Sequence, residues 1–329
     1  MNADTASKPA TRRKKKGGGP SGICTFCRAP YVQTLDELDA DIAVLGVPYD
    51  GGTGYRTGHR FGPRGIREYS MRFGFFDQSR PPEERGYWDM KTRRRLLRNV
   101  SMVDCGDIDI VPADITGMHR QIDESIRTIL KKGAFPVVMG GDHSVAYPVV
   151  RAFEEKGPLG IVHFDAHLDR SGPVPGVENG YYGSGSPLRG IGELEFVDNE
   201  KLVSIGMRGI HNSEKQFLAA EEKGEILIPN YVIQEEGVSR TIERIPSMGN
   251  CYVTIDIDVL DTAIAPGIGS PEAEGMDYTQ LKEILLAVAA KTEVVGLDVM
   301  SVAPERDPSG RTQLVTAQLM VEFLGAVFG

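Results

Sequence analysis

The chain has 329 residues, of which 40% are hydrophobic and 25% are charged, and its formal net charge is −9 at pH 7. This length and composition predict one compact domain with a large apolar core. The acidic balance argues against nucleic acid or an anionic membrane as the main partner, because either partner requires a basic surface. We therefore expect a small-molecule ligand.

Residues 1–30 are predicted to form a disordered basic tail, followed by one domain over residues 31–329. Residues 12–16 are all Arg or Lys, and three glycines follow them, so there is little apolar surface to bury. A nucleic-acid arm or a localisation signal is the alternative to a solvated tail. The tail lacks the apolar core of a signal peptide, and no stretch reaches the roughly 18 to 20 apolar residues that span a bilayer. Four cysteines fit a reducing compartment, so we expect the protein in the cytoplasm.

Along the rest of the chain, short apolar runs alternate with longer amphipathic segments. The runs predict strands at residues 42–47, 137–139, 160–164, 202–206, 251–257 and 294–299. The amphipathic segments predict helices at residues 115–130, 145–155, 215–222, 278–290 and 312–324. This alternation is typical of an α/β fold in which helices cover both faces of a parallel sheet. Residues 171–200 show no persistent periodicity and predict a long loop at the rim of a site.

Polar clusters follow three of the predicted strands. They read GGDHS at residues 140–144, DAHLD at residues 165–169 and DID at residues 256–258. Ligands of open parallel sheets bind at the carboxyl ends of strands, where side chains do not have to pack against the covering helices. Alternation along an extended segment also places Asp165, His167 and Asp169 on one face. The three clusters therefore predict one polar site.

The chemistry of these clusters predicts a site for two divalent metal ions. Carboxylates crowded together in a partly buried site repel one another and need cations. Imidazole mixed with carboxylate favours transition metals over Mg²⁺ or Ca²⁺, and we expect Mn²⁺ or Ni²⁺ because no thiolate is present. Alternatively, the carboxylates cap helices or pair with arginines, and the histidines are core residues. The predicted ligands are His143, Asp165, His167, Asp169, Asp256 and Asp258.

Together these motifs resemble the ureohydrolases, the superfamily of arginase and agmatinase. The segment APGIGSP at residues 265–271 adds to the resemblance, and GVPYD at residues 46–50 and YRTGHRFGP at residues 55–63 are similar to the agmatinase branch. The resemblance covers about residues 35–327. It implies a three-layer αβα sandwich around a mostly parallel sheet, assembled into trimers or hexamers of one or two kinds of subunit. It also implies a binuclear metal site that hydrolyses a guanidino compound to urea and an amine.

The resemblance assigns individual roles to the predicted ligands. One ion would be held by His143, Asp165, Asp169 and Asp256. The other would be held by Asp165, His167, Asp256 and Asp258, so that Asp165 and Asp256 bridge the ions. Asp169 would carry a proton to the leaving nitrogen beside a hydroxide shared by the ions. Ser270 matches a hydroxyl that binds the guanidinium.

Two positions depart from the family pattern. Ser184 stands where many relatives have a histidine that shuttles protons, and a serine hydroxyl cannot titrate near neutral pH. His59 and His211 are candidates to replace that histidine, although surface or packing roles are the simpler interpretation of both. Ser301 stands where relatives usually have a glutamate that holds the guanidinium through paired hydrogen bonds.

The loss of this glutamate predicts an altered substrate. Alkyl groups on nitrogen remove the donors that a buried carboxylate needs, so a substituted guanidine or a biguanide of the metformin type fits the departures. Tyr181, Tyr182 and Trp88 are candidates to line such a pocket. An agmatinase or a guanidino-acid hydrolase is the alternative within the same reaction class. A second alternative is a metal-binding partner subunit of a hetero-oligomeric ureohydrolase.

Overall fold

The computed structural model describes residues 22–77, 80–110, 114–172 and 182–329. The strands are β1 (Ile42–Gly46), β2 (Tyr87–Asp89), β3 (Arg94–Leu96), β4 (Met102–Asp107), β5 (Phe135–Met139), β6 (Leu159–Phe164), β7 (Val197–Ile205), β8 (Ile226–Ile228), β9 (Met248–Asp256) and β10 (Thr292–Met300). The α-helices are α1 (Gly62–Ser70), α2 (Ile115–Lys131), α3 (Ala146–Arg151), α4 (Pro187–Ile191), α5 (Glu214–Glu222), α6 (Asn230–Arg244), α7 (Tyr278–Lys291) and α8 (Arg311–Phe328).

Eight of these strands form one parallel sheet in the order β4-β1-β5-β10-β9-β6-β7-β8. The remaining two, β2 and β3, form a small antiparallel hairpin. The strands that precede the three polar clusters, β5, β6 and β9, lie near one another in the middle of the sheet, with β10 between β5 and β9. Because all run in the same direction, their carboxyl ends meet at one edge.

Helices cover both faces of the sheet. Along β1, Ile42 and Val44 pack with residues of α1, α6, α7 and α8, whereas Ala43 and Leu45 pack with residues of α2, α3 and α4. Successive side chains of a strand point to opposite faces, so this alternation marks two separate cores. The predicted three-layer αβα sandwich is confirmed. None of the described helices combines the length and the apolar character needed to cross a membrane.

The six predicted strands are present, with shifted ends. The structure adds α1, α4, α6, β4, β8 and the hairpin, which sequence periodicity did not identify. In α6, Gly237 adopts a φ of 85°, outside the helical range, and this interrupts the apolar spacing on which a helix prediction depends. Within the long loop predicted at residues 171–200, α4 and the first residues of β7 are regular structure, and residues 173–181 lie outside the described residues.

Part of the segment that precedes residue 31 packs against the rest of the domain. Phe26 and Cys27 are fully buried. The backbone N–H of Phe26 donates to Oδ2 of Asp104 at 2.7 Å, and that of Cys27 donates to the hydroxyl of Ser70 at 2.9 Å. Residues 22–30, which the sequence analysis placed in the tail, thus contribute to the domain. The remainder of the predicted tail, residues 1–21, lies outside the described residues.

Candidate metal centre

The predicted ligands occupy the turns that follow β5, β6 and β9. His143 begins a short 3₁₀ turn after β5, and the carboxylate of Asp142 caps this turn by accepting the N–H of Ser144 at 2.9 Å. Asp256 ends β9 and caps the next turn in the same way, accepting the N–H of Asp258 at 3.0 Å. Short polar side chains therefore end each strand and turn the following residues toward the common edge.

The first group of ligand atoms surrounds Nδ1 of His143. This nitrogen lies 2.9 Å from Oδ2 of Asp165, 2.9 Å from Oδ2 of Asp169 and 3.5 Å from Oδ2 of Asp256. His163, which the sequence analysis did not assign, joins the group because its Nε2 lies 3.0 Å from Oδ2 of Asp165. Potential ligand atoms of His143, His163, Asp165 and Asp169 lie within 4.8 Å of one another.

The second group surrounds Nδ1 of His167. This nitrogen lies 3.2 Å from Oδ1 of Asp165 and 3.2 Å from Oδ2 of Asp258. Asp165 thus presents one carboxylate oxygen to each group, which is the arrangement that a bridging ligand requires. Among the described residues, the second group consists of Asp165, His167 and Asp258, whereas Asp256 is placed by its contact with the first group.

The charges in this cluster are poorly balanced by the protein alone. Burial, together with the neighbouring Asp165, raises the pKa of Asp169 to about 7. Burial and the neighbouring carboxylates also raise the pKa values of Asp256 and Asp258. Burial would likewise raise the pKa of Asp165, but hydrogen bonds from three histidines hold it well below its ordinary value. Against the effect of burial, the same carboxylates raise the pKa values of His143 and His167, so protons on these imidazoles partly balance the carboxylates where a divalent ion would otherwise do so.

The donor set fits two divalent ions. Oδ2 of Asp169 is buried 2.9 Å from Nδ1 of His143, so an oxygen ligand and a nitrogen ligand lie side by side there. Imidazole nitrogen and carboxylate oxygen are ligands that transition metals share, and the two groups meet at Asp165. His143, Asp165 and Asp169, with Asp256 beside them, would hold one ion, and Asp165, His167 and Asp258 would hold the other.

A buried chain of hydrogen bonds orients His143. The hydroxyl of Tyr252 donates to Oδ2 of Asp298 at 2.8 Å, and the hydroxyl of Thr254 donates to Oδ1 at 2.6 Å. Because the Thr254 proton is used in this way, its oxygen accepts the Nε2–H of His143 at 3.0 Å. Nδ1 of His143 therefore faces the carboxylates, where a metal ion would take the place of its proton. Burial raises the pKa of Asp298 to about 6.

Sequence reasoning missed this chain of hydrogen bonds, although one signal was present. Asp298 is a charged residue within the predicted apolar strand at residues 294–299, and a charge at such a place needs partners. His163 offered a similar signal within the run that precedes Asp165. Thr254 and Tyr252 offered none, because both residue types are common in strands that carry no function.

A cavity of about 700 Å³ opens above the metal cluster. Its base includes His167, Asp169, Asp256 and Asp258. All five residues predicted to bind substrate line its walls, namely His59, Ser184, His211, Ser270 and Ser301. They come from five separate segments of the chain, so the fold brings them together.

The two candidate histidines differ in environment. His59 is 4% exposed, and burial lowers its pKa to about 4, so its imidazole is neutral at pH 7. This contradicts a role for His59 as a proton shuttle near neutral pH. His211 is 75% exposed at the mouth of the cavity, and its Nδ1 lies 2.5 Å from Oε1 of Glu272. Glu272 was missed by the sequence analysis and lies 3.7 Å from Nε2 of His167.

The three serines are held differently. The backbone N–H of Ser184 donates to the carbonyl of Gly52 at 2.8 Å, which fixes the segment on the cavity wall. Ser270 is exposed. Ser301 is buried, and its hydroxyl donates to Oδ2 of Asp256. Residue 301 thus carries a hydroxyl that is bonded to a proposed metal ligand.

Two of the three aromatic residues expected in the pocket, Trp88 and Tyr182, lie elsewhere. Trp88 belongs to β2 and lines a different cavity of about 430 Å³, together with Tyr87 and Arg95. Tyr182 packs its ring against His119, with ring centroids 4.4 Å apart, and its hydroxyl donates to the carbonyl of Ser144. Tyr181 lies outside the described residues.

Comparisons with known proteins identify relatives of this chain. The model of the arginase family matches residues 40–325. The guanidino acid hydrolase of Homo sapiens mitochondria is 33% identical over 94% of this chain and 84% of its own length. The mitochondrial agmatinase of Gallus gallus is 34% identical over 93% of this chain and 86% of its own length. The solved structure of proclavaminate amidino hydrolase from Streptomyces clavuligerus is 32% identical, covers 93% of this chain and 97% of its own, and superimposes with a TM-score of 0.80. The chain therefore belongs to the arginase family of hydrolases.

Proposed function

We propose that the protein is a binuclear metal-dependent amidinohydrolase that cleaves a C–N bond of a guanidino compound to give urea and an amine. One observation carries the proposal. Two sets of imidazole and carboxylate groups share Asp165 at the base of an open cavity. The names of the relatives from Homo sapiens and Gallus gallus, a guanidino acid hydrolase and an agmatinase, support this reaction class.

The roles follow from position. Two divalent ions held by these residues would lower the pKa of water and so supply hydroxide for attack on a planar carbon. Asp169 would hold a proton on the carboxylate oxygen that is not bound to the ion, and deliver it to the departing nitrogen. Ser270, Ser184 and His211 would orient the substrate along the walls, and neutral His59 would contribute a fixed polar wall. Either Mn²⁺ or Ni²⁺ suits the donor set.

For the substrate, we propose a substituted guanidine or a biguanide of the metformin type. At residue 301 the cavity wall carries a serine and therefore no carboxylate. The hydroxyl of this serine is bonded to Asp256. Among the described residues that line the cavity, Glu272 is the one carboxylate outside the proposed ligand set, and it contacts His211. A dialkylated nitrogen has no N–H to donate to a glutamate at residue 301. The absence of glutamate at this position therefore favours such a substrate. An agmatinase or a guanidino-acid hydrolase fits the family equally well.

A substrate screen tests this proposal. Purified protein loaded with Mn²⁺ or with Ni²⁺ is incubated with agmatine, guanidino acids, N,N-dimethylguanidine and metformin. Urea, guanylurea and the released amine are measured, because hydrolytic loss of dimethylamine from metformin leaves guanylurea rather than urea. We expect the N,N-dimethylated compounds, dimethylguanidine and metformin, to be hydrolysed with the highest kcat/KM. Rapid turnover of agmatine or a guanidino acid, without turnover of the N,N-dimethylated compounds, would replace the proposed substrate by the alternative.

The same assay addresses a partner-subunit function, which the serines at residues 184 and 301 also fit. A protein that binds two metal ions but releases no urea until a paralogous subunit is added would be such a partner. Family resemblance favours a trimer or a hexamer, of one or two kinds of subunit, and sedimentation of the purified chain measures this directly. We propose the cytoplasm as the compartment, because all four cysteines are unpaired.

A further inference from the structure

We infer that Ser301 is a positioning residue for Asp256, and that its hydroxyl holds this carboxylate in the orientation in which it faces His143. The inference rests on the proposed dimetal site but not on any particular substrate. Ser301 follows directly after β10, whose last residue, Met300, pairs with Asp256 in the neighbouring strand β9. Strand pairing therefore places the two side chains beside each other at the common edge.

Both oxygens of Asp256 are restrained by the protein. Oδ1 accepts the N–H of Asp258 at 3.0 Å, and Oδ2 accepts the hydroxyl of Ser301. Two donors on two different oxygens fix the plane of a carboxylate, because rotation about the Cβ–Cγ bond would break both bonds. In this orientation Oδ2 lies 3.5 Å from Nδ1 of His143. The hydroxyl of Ser301 thus holds the oxygen through which Asp256 meets the first metal group.

The backbone of Ser301 supports a specific role for its side chain. Ser301 has a φ of 67°, in the left-handed region that L-residues avoid and glycine adopts freely. Its N–H donates to the carbonyl of Gly141 at 2.8 Å, so this conformation is tied to the segment that precedes His143. A glycine would satisfy the backbone at lower cost. A serine under strain beside a functional site therefore indicates that its hydroxyl is needed.

The same contact has a consequence for the cavity wall. Because the hydroxyl proton of Ser301 is directed to Asp256, the substrate meets only a small and nearly apolar surface there. Ser301 is 7% exposed, so little of it is available for direct recognition. One residue thus stabilises a metal ligand and leaves room above it. A direct substrate-binding role for Ser301, as predicted from its position, is replaced here by an indirect one.

Two variants separate the hydroxyl from the backbone. Ser301→Ala removes the hydroxyl and keeps the strained φ, whereas Ser301→Gly removes both the hydroxyl and the strain. Dissociation constants for Mn²⁺ and Ni²⁺ are measured by competition with a chelator, and absorption spectra of the Co²⁺-loaded proteins report the ligand geometry. Ser270→Ala, which removes another hydroxyl from the same cavity, is the matched control.

We expect both Ser301 variants to bind at least one ion roughly tenfold to a hundredfold more weakly, in line with the loss of a hydrogen bond to a charged group, and to show altered Co²⁺ spectra. Ser270→Ala should keep the affinity and spectrum of the unaltered protein. Unchanged metal affinity and spectra in both variants would overturn the inference. Normal metal binding by Ser301→Gly would also overturn it, because any weakening in Ser301→Ala would then be due to backbone strain alone. If the unaltered chain binds no divalent ion, the proposed function fails as well.

Discussion

At residue 301 one side chain links the metal ligands to the wall of the substrate cavity. The hydroxyl of Ser301 is bonded to Asp256, and the cavity continues above it. A longer acidic side chain at this position would point into the cavity from the same strand end. Residue 301 is therefore where metal binding and substrate choice meet.

We expect Ser301→Glu to shift specificity from N,N-dialkylated toward N-monoalkylated guanidines. A carboxylate here supplies two acceptors, and an N-monoalkylated guanidinium has an N–H on each of its three nitrogens, whereas an N,N-dialkylated one has a nitrogen with none. The kcat/KM for agmatine divided by that for N,N-dimethylguanidine should rise about tenfold or more, as for a buried group that gains or loses its partner. Ser301→Gln has the same size without the charge, and an equal shift in that variant would show that size, not charge, sets the preference.

Substitution of Asp256 should affect metal binding and urea release together. Asp256→Asn keeps the shape of the side chain but removes its charge, so we expect loss of bound metal and of urea release in parallel. Metal content is measured on the purified variant by elemental analysis. Asp277→Asn is the control, because Asp277 caps α7 away from the cavity and Asn caps a helix equally well. Full metal content with activity in Asp256→Asn would contradict the ligand assignment.

The spacing of acidic and imidazole residues in DAHLD and DID was enough to predict five of the six ligands, because period-two alternation puts them on one face. The sixth, His143, was predicted from GGDHS at the end of another strand. Their partners could not be predicted in this way. Thr254 and Glu272 matter only because β10 and two loops bring other side chains within hydrogen-bonding distance, and those neighbours are distant in sequence.

At the scale of elements, the site depends on β9 and β10 being adjacent. Tyr252 and Thr254 lie on β9, and Asp298, which accepts both hydroxyls, lies on β10. The pair of strands thus carries the hydrogen bonds that fix the tautomer of His143. Strand adjacency, which supplies this arrangement, is set by the sheet order rather than by the local sequence.

We expect Thr254→Val to weaken binding of the ion held by His143, while Thr254→Ser should bind it nearly as well as the unaltered protein. Valine has the shape of threonine but leaves the Nε2–H of His143 without an acceptor, and loss of such a partner typically costs about tenfold to a hundredfold in metal affinity. Chelator competition measures the affinity. Equal weakening by valine and serine would indicate a packing defect rather than loss of the hydrogen bond.

The N-terminal segment provides a test of where the packed domain begins. A truncation that removes residues 1–21 should leave the midpoint of thermal unfolding unchanged. Removal of residues 1–30 deletes the fully buried Phe26 and Cys27, and we expect it to lower the free energy of unfolding by about 3 kcal/mol or more. Differential scanning fluorimetry compares the two. Equal destabilisation by both truncations would show that residues before 22 stabilise the domain.

At the scale of the whole molecule, buried histidines tie stability to pH. Burial lowers the pKa values of His59 and His119 from 6.5 to about 4. Between pH 6.5 and pH 4 the unfolded chain therefore binds more protons than the folded one, so the free energy of unfolding falls as pH falls through this range. The contribution of each histidine to the free energy of unfolding is fully present above pH 6.5 and amounts to about 3 kcal/mol at most.

His119→Phe should reduce this dependence. The phenyl ring retains the aromatic contact with Tyr182 and cannot take up a proton in the unfolded state. We expect the urea midpoint of the variant to fall less between pH 7 and pH 5 than that of the unaltered protein. The difference between the two proteins isolates His119 from the carboxylates that titrate in the same range. An identical pH dependence would indicate that His119 is already protonated in the folded state or remains neutral in the unfolded one.

The sequence by itself determined the fold class and the chemistry of the metal site. Apolar runs of strand length alternating with amphipathic helices specify a layered sheet, and motifs within single loops carry the ligands with their spacing. Both are local patterns, so they can be recognised without knowing what packs against what. Local patterns were weaker where a glycine interrupts a helix, as at Gly237 in α6.

Only the tertiary structure decided how the ligands are oriented and what surrounds the substrate. In the structure the imidazole of His59 is buried and its pKa is lowered, Trp88 lines a separate cavity, and the hydroxyl of Ser301 donates to Asp256. Each of these outcomes depends on contacts between segments far apart in the chain. Burial and hydrogen bonding arise from such contacts, and they set the protonation, orientation and accessibility on which the choice of substrate depends.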